Sequence, residues 1–188
     1  MNMKSIAPLF LSAVLIACGS TPSSIIIAPQ VYAPIQSLYH NQSVQLSITD
    51  LRRQHHVIQV LKKDQAAKLY SPANDLASIL NQSLTTEWKN QGLAVNDFAN
   101  ITMNVYIDAA LVSVQQETVK YQANSEIRLR IEINKAEKTL TNHFKSKGSS
   151  NGPLFADVAV LERDFNQQLG KVIAEILSNN DIQHFINH

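Results

Sequence analysis

Apolar and polar residues change their period several times along this chain, and each change marks an element. Val44, Leu46 and Ile48 alternate with Ser43, Gln45, Ser47 and Thr49, a period of two that puts one row of side chains on a core and the other in water. Asp50 to His56 is polar and reads as a turn. Val57 to Leu61, rich in β-branched residues, reads as the strand returning from it, so the pair predicts a hairpin. Asn74 and Asp75 offer helix caps ahead of Leu76, Ile79, Leu80, Leu84 and Trp88, and Gly92 is placed to end that helix. Trp88 continues the Leu76, Leu80, Leu84 stripe by one more turn and is expected to pack the helix onto a sheet.

Ile101, Met103, Val105, Ile107 and Leu111 alternate again, but Val112 and Val114 take the opposite parity, which predicts a bulge or bend near Ala109 to Leu111. The next strand carries Val119, Tyr121, Ala123, Ile127, Leu129, Ile131 and Ile133 on one face and Lys120, Gln122, Glu126, Arg128, Arg130 and Glu132 on the other. A sheet with one wet face is ordinarily antiparallel, because parallel sheets are usually covered on both sides. A further strand is expected over Lys138 to Lys147, before a loop from Gly148 to Pro153. Val158, Leu161, Phe165, Leu169, Val172, Ile173, Ile176 and Leu177 mark a second amphipathic helix that stops near Ser178. Asn179, Asn180 and Asp181 can cap a short terminal helix carrying Ile182, Phe185 and Ile186. The expected fold class is α+β: an antiparallel sheet of about five strands, with two main amphipathic helices packed on one face and a short C-terminal helix.

The N-terminal region has a different character. Lys4 precedes an apolar stretch from Ile6 to Ala17, too short for a membrane span, which needs roughly 20 residues, and right for an export signal. Leu15-Ile16-Ala17-Cys18 then resembles the bacterial lipobox, in which signal peptidase II cuts before a cysteine that has received diacylglycerol. Cys18 is the chain's only cysteine, so an intramolecular disulfide is impossible and lipid attachment is the expected use of its thiol. Residues 1–17 are thus expected to be a signal peptide, 18–24 a flexible tether and 25–188 one periplasmic domain. Gly19 is not the aspartate that retains such proteins at the inner membrane, so the periplasmic face of the outer membrane is the expected location. Ile25-Ile26-Ile27, closed by Pro29 and Pro34, suits an edge strand.

Composition narrows the functions. Hydrophobic residues are 45% of the chain and charged residues 16%, as in a globular domain. After loss of Lys4 with the leader, 15 basic residues face 15 acidic ones, which excludes the basic stripe that nucleic-acid binding needs and leaves acyl chains as the route to a membrane. Nucleophile elbows, zinc helices and phosphate loops are missing from the sequence, so no catalytic residue, metal ligand or cofactor is assigned. His55 and His56 would point apart on a strand; His184 and His188 share a helical face, but a zinc site usually needs three or four protein ligands. Asp50 and Arg52, and Arg128 and Arg130 on the polar strand face, are candidate partner-binding residues. Their simpler readings are a turn aspartate beside a solvated arginine, and an ordinary wet sheet surface.

The order of these parts, from the lipobox through Val44-Gln45-Leu46-Ser47-Ile48-Thr49-Asp50-Leu51-Arg52, the helix from Asp75 to Gly92 and the strand pair to Asn180-Asp181-Ile182-Gln183-His184-Phe185-Ile186, resembles the YajG family of uncharacterised proteobacterial lipoproteins. The resemblance implies an accessory part of an envelope assembly and names no substrate. The expected function is non-catalytic binding or scaffolding of an envelope protein or glycan. An envelope hydrolase with dispersed catalytic residues, or a carrier of a lipid or small apolar ligand, is the alternative.

Overall fold

The computed structural model describes residues 24–32 and 36–188. The lipobox residues Leu15, Ile16, Ala17 and Cys18 lie outside them, as do Gly19 and Pro34. The elements are β1 (Ser24–Ile25), β2 (Ser43–Asp50), β3 (Ile58–Lys62), β4 (Lys68–Pro72), α1 (Leu76–Asn90), β5 (Ala94–Val95), β6 (Ile101–Gln116), β7 (Lys120–Lys135), β8 (Lys138–Pro153), α2 (Val158–Leu177) and α3 (Asn180–Asn187).

The expected antiparallel sheet of about five strands is overturned. The strands form one curled, mixed sheet of eight. Antiparallel pairing holds for β6–β7 and β7–β8. β2 and β3, predicted to be a hairpin, do not pair with each other. Both run parallel to β6 along the same edge, end to end: Val44–Asp50 lies on Ile101–Ile107, and Ile58–Lys62 lies on Val112–Gln116. A polar interval between two apolar runs marks a break in a strand without stating whether the chain reverses, and here it does not. The reversal comes one element later, where β4 returns antiparallel to β3.

The strand expected to stop at Lys147 continues to Pro153, because backbone pairing with β7 persists through Gly148↔Ser125 to Pro153↔Lys120 although side-chain alternation fades. A Cβ at Gly152 would stand 2.8 Å from the end of the Tyr121 ring, so a side chain there would turn that ring aside. The bulge falls where the parity change puts it, with the β6–β7 register shifting between Ile107 and Ala109. The shift brings Ala110, Val112 and Val114 onto the buried side with Ile101, Met103, Val105 and Ile107.

The helices obey their periodicity closely. The Asp75 carboxylate accepts from the Ser78 N–H at 2.9 Å, and the Asn179 amide oxygen from the Ile182 N–H at 3.0 Å. Gly92 takes the left-handed conformation (φ 83°) just past α1. The buried stripes of α1 (Leu76, Leu80, Leu84, Trp88) and α2 (Leu161, Phe165, Leu169, Val172, Ile173, Ile176, Leu177) close over one sheet face. The other face is uncovered.

The N-terminal segment is strapped onto α2. β1 pairs in parallel with β4 at the sheet's edge, as the prolines suggested. Beyond it the Ile26 N–H reaches Glu162 Oε2 (3.2 Å), the Ala28 N–H reaches Asn166 Oδ1 (3.0 Å), and Asn166 Nδ2 donates back to the Ile26 carbonyl (3.0 Å). Gly170 continues this row; a Cβ on it would lie 2.3 Å from the Gln30 carbonyl oxygen. Residues four apart on a helix share a face, so Glu162, Asn166 and Gly170 together receive an extended chain.

Trp88 is fully buried. Trp88→Ala is expected to cost about 3–5 kcal/mol of folding free energy by urea unfolding. A loss below about 1 kcal/mol would contradict the packing role, since full burial of so large a ring cannot be worth so little.

Candidate functional site

Because β2 ends and β3 begins on one edge of β6, the β6 backbone between Ile107 and Val112 loses a strand neighbour at the bulge. Arg52 fills the gap. Its guanidinium forks onto the Asp50 carboxylate (Nε–Oδ1 2.9 Å, Nη2–Oδ2 2.7 Å) and donates from Nη1 to the carbonyl oxygens of Ala110 (3.0 Å) and His56 (3.4 Å). Backbone bonds close either side, from the Leu51 N–H to Ile107 O and from the Val112 N–H to Val57 O. Both side chains are over nine-tenths buried, so this pair holds strands together and offers little to a partner. Burial works to raise the Asp50 carboxyl, but the hydrogen bonds and charge of Arg52 outweigh it and hold the group below its ordinary value.

Arg128 and Arg130 lie on the uncovered sheet face. Arg130 sits 4.1 Å over the Tyr106 ring, with Asp108 and Glu132 each at 3.8 Å. Arg128, half exposed, lies 3.9 Å from Glu126, which Lys145 approaches from β8 at 3.3 Å. The exposed Arg128–Glu126 pair contributes roughly 0–1 kcal/mol at this length and is free to exchange for a partner's groups, whereas Arg130, about three-quarters buried, is held more firmly.

His55 is exposed and 3.2 Å from Asp50, while His56 beside it is buried. The His184 and His188 rings stack with centroids 4.4 Å apart. Among the described residues, no three His, Cys, Asp or Glu side chains gather as a metal site. A cleft of about 210 Å³ between α2 and β8 is lined by Ser146, Ser149, Gln168 and Lys171 among others. A groove of about 710 Å³ beside the strap is lined by Ala28, Gln30, Tyr32, Asn166, Gly170 and Ala174 among others, and more of its surface is apolar than polar. No helix among the described residues is long and apolar enough to cross a membrane.

Sequence reasoning missed Gln116. Buried at the end of β6, its side-chain amide faces the carbonyl oxygens of Glu117 (2.7 Å), Lys120 (3.2 Å) and Leu154 (2.8 Å), and its oxygen accepts from the Ala156 N–H (3.1 Å). Alternation marks position 116 as inward-facing, but nothing in the sequence says that a glutamine there would tie two loops together.

Fold and surface together define a helix-backed, curled mixed-sheet domain with one open polar face. The chain belongs to a family of uncharacterized lipoproteins, whose match spans residues 29–187. Among functionally curated proteins, none matches it. A Xanthomonas campestris protein of the DUF330 family has a similar fold, with a TM-score of 0.60 and 14% identity over 86% of this chain and 97% of that one. A Helicobacter pylori protein described as a putative neuraminyllactose-binding hemagglutinin homolog aligns at a TM-score of 0.49 with 12% identity, over 86% of this chain and 98% of that one. A PelC dodecamer subunit from Paraburkholderia phytofirmans aligns at a TM-score of 0.36 with 8% identity, over 79% of this chain and 94% of that one. These last two scores are too low to carry an argument about function.

Arg52→Ala would strand a buried carboxylate, and the expected cost is about 3–5 kcal/mol, whereas the double variant Asp50→Asn/Arg52→Met should lose clearly less than the sum of its single changes. Since the folded carboxyl titrates below its unfolded value, its contribution is fully present above the ordinary aspartate range and is lost as pH falls through the lowered folded value. Urea unfolding across acid pH should show that limb in the wild type and a weaker one in Asp50→Asn; identical profiles would contradict the assignment.

Proposed function

We propose that this lipoprotein is exported, acylated on Cys18 and held at the periplasmic face of the outer membrane, where it acts as a non-catalytic binding or scaffolding component of an envelope assembly. Within the uncharacterized lipoproteins it falls with the YajG family. The lipobox Leu15-Ile16-Ala17-Cys18 supports acylation, and Gly19 supports outward sorting. Acyl chains anchor through burial of about 0.8 kcal/mol per CH₂, so several chains on one cysteine release very slowly. The observation that carries the binding role is the open face of β6–β8. It presents Arg128, half exposed, beside Arg130, which lies about three-quarters buried over the Tyr106 ring, and the ion pairs competing for the two arginines are long, at 3.8–3.9 Å. An envelope protein or a glycan fits such a face, through arginine anchors and an aromatic platform.

Cys18→Ser should leave an uncleaved precursor or a protein washed from membranes by salt, and Gly19→Asp should move the protein to inner-membrane fractions. A Cys18→Ser protein still processed and still resistant to extraction would overturn anchoring; an unchanged Gly19→Asp distribution would overturn sorting alone. For the binding role, a photo-crosslinker at Thr141 on the open face should give a discrete adduct in intact cells. Arg128→Glu should abolish that adduct while changing stability by no more than about 0.5 kcal/mol. Equal adduct yields from Thr141 and from Glu175 on α2, insensitive to Arg128→Glu, would overturn it.

A further inference from the structure

One end of the sheet is built unlike the rest of the surface. There the β6–β7 turn and the segment after β8 meet: the Leu154 N–H donates to the Val119 carbonyl at 2.8 Å, and Gln116 bridges both from beneath. Val119, Leu154 and Phe155 are each about two-thirds exposed at this junction (66%, 64% and 65%). Leu154 is held in the left-handed conformation (φ 61°), which disfavours any residue with a Cβ. Three adjacent apolar side chains kept outward, one of them against its backbone preference, are a presented surface and not packing left incomplete. Lys62 and Lys120, the latter paired with Pro153, flank them, and Glu117 lies 3.5 Å from Lys120. Lys62 Nζ lies 5.8 Å from the centre of the Phe155 ring.

The N-terminus says what this end faces. β1 runs parallel to β4, so the chain enters the domain from the end at which β4 begins and β3 stops. That is the Gln116 end, because Lys62 pairs with Gln116. Through β4 and β3, Ser24 stands near the level of Val112 on β6. From Val112 the strand rises about 13 Å to Gln116 but falls about 36 Å to Ile101, at roughly 3.3 Å per residue. Five residues separate Cys18 from Ser24, and the six steps between them span at most about 20 Å. A lipid on Cys18 therefore allows an upright domain to rest its Gln116 end on the bilayer and forbids an upright domain seated on the opposite end, with the β7–β8 turn.

We infer that Val119, Leu154 and Phe155 form a membrane-seating tip, which inserts into the interfacial layer of the lipid surface that holds Cys18 and sets the domain upright on it. This rests on the acylation of Cys18 proposed above. The three apolar side chains assign the seating to apolar insertion, with the lysine stems reaching along the headgroups. An upright domain holds the open face of β6–β8 roughly perpendicular to the membrane, where it is reachable by partners in the periplasm.

The test uses the full-length acylated protein in vesicles of phosphatidylethanolamine with a minor share of phosphatidylglycerol. Single Val119→Cys, Phe155→Cys and Glu137→Cys variants carry an environment-sensitive fluorophore, the last at the exposed β7–β8 turn. Flotation reports the anchor; quenching by lipids spin-labelled high on the acyl chain reports the seating. The expected result is flotation of all three, with labels at 119 and 155 blue-shifted and quenched several-fold more than at 137, unchanged by salt. A folded Leu154→Ser protein should float equally but lose most of the quenching at 155. Floating protein with all three labels equally unquenched would overturn the tip and leave the anchor intact. Failure to float would overturn the anchor and the tip with it.

Discussion

A single long strand serves two neighbours along one edge, and the rest of the architecture is arranged around that demand. β6 accepts β2 on its first half and β3 on its second, both in parallel, and its bulge lies where the first ends. An interrupted edge would leave backbone carbonyls buried without donors, at a cost comparable to lost hydrogen bonds. The Arg52–Asp50 pair removes that cost. Its guanidinium supplies donors to Ala110 and His56, and the carboxylate neutralises the charge that had to be buried with it. Replacing the arginine by an apolar residue of similar size would keep the volume and lose those donors.

Strand placement also gives the domain a direction. Two parallel strands set end to end send β4 back along the sheet edge, where β1 joins it and the N-terminal segment is caught on the Glu162–Asn166–Gly170 row of α2. The N-terminal end of the domain is thereby tied both to the sheet and to the longer helix. A domain held at two points near its N-terminus transmits the position of an anchor to the open face, which a loosely hung domain would not.

Much of the architecture was legible where side-chain period and caps carry the information. Asp75, Asn179 and Gly92 bound their helices as their chemistry requires, Trp88 is buried on its stripe, and the Val112 and Val114 parity change locates the bulge. Strand direction and partner choice were not legible, since Val44–Ile48 and Val57–Leu61 show the same alternation whether they pair with each other or with a third strand. The second half of β8 was hidden because Ser149, Ser150 and Asn151 carry no apolar signal while their backbones still pair. At the candidate sites, alternation put Arg128 and Arg130 on a wet face, as found. Asp50 does hydrogen-bond its own turn, to the Arg52 N–H at 3.1 Å, but Arg52 is not the solvated arginine its sequence neighbours suggest. Its role depends on Ala110, 58 residues away.

Site-resolved amide hydrogen exchange in Arg52→Met, against the wild type, probes the closure of the β6 edge without intermediaries. If the guanidinium closes the gap between β2 and β3, the Leu51 and Val112 amides, which bond to Ile107 and Val57, exchange with the slow core in the wild type and lose protection selectively in the variant. Amides of the β7–β8 ladder, such as that of Ile131, keep theirs relative to global stability. Uniform loss across the sheet, or no loss at Leu51 and Val112, would contradict the role assigned to Arg52.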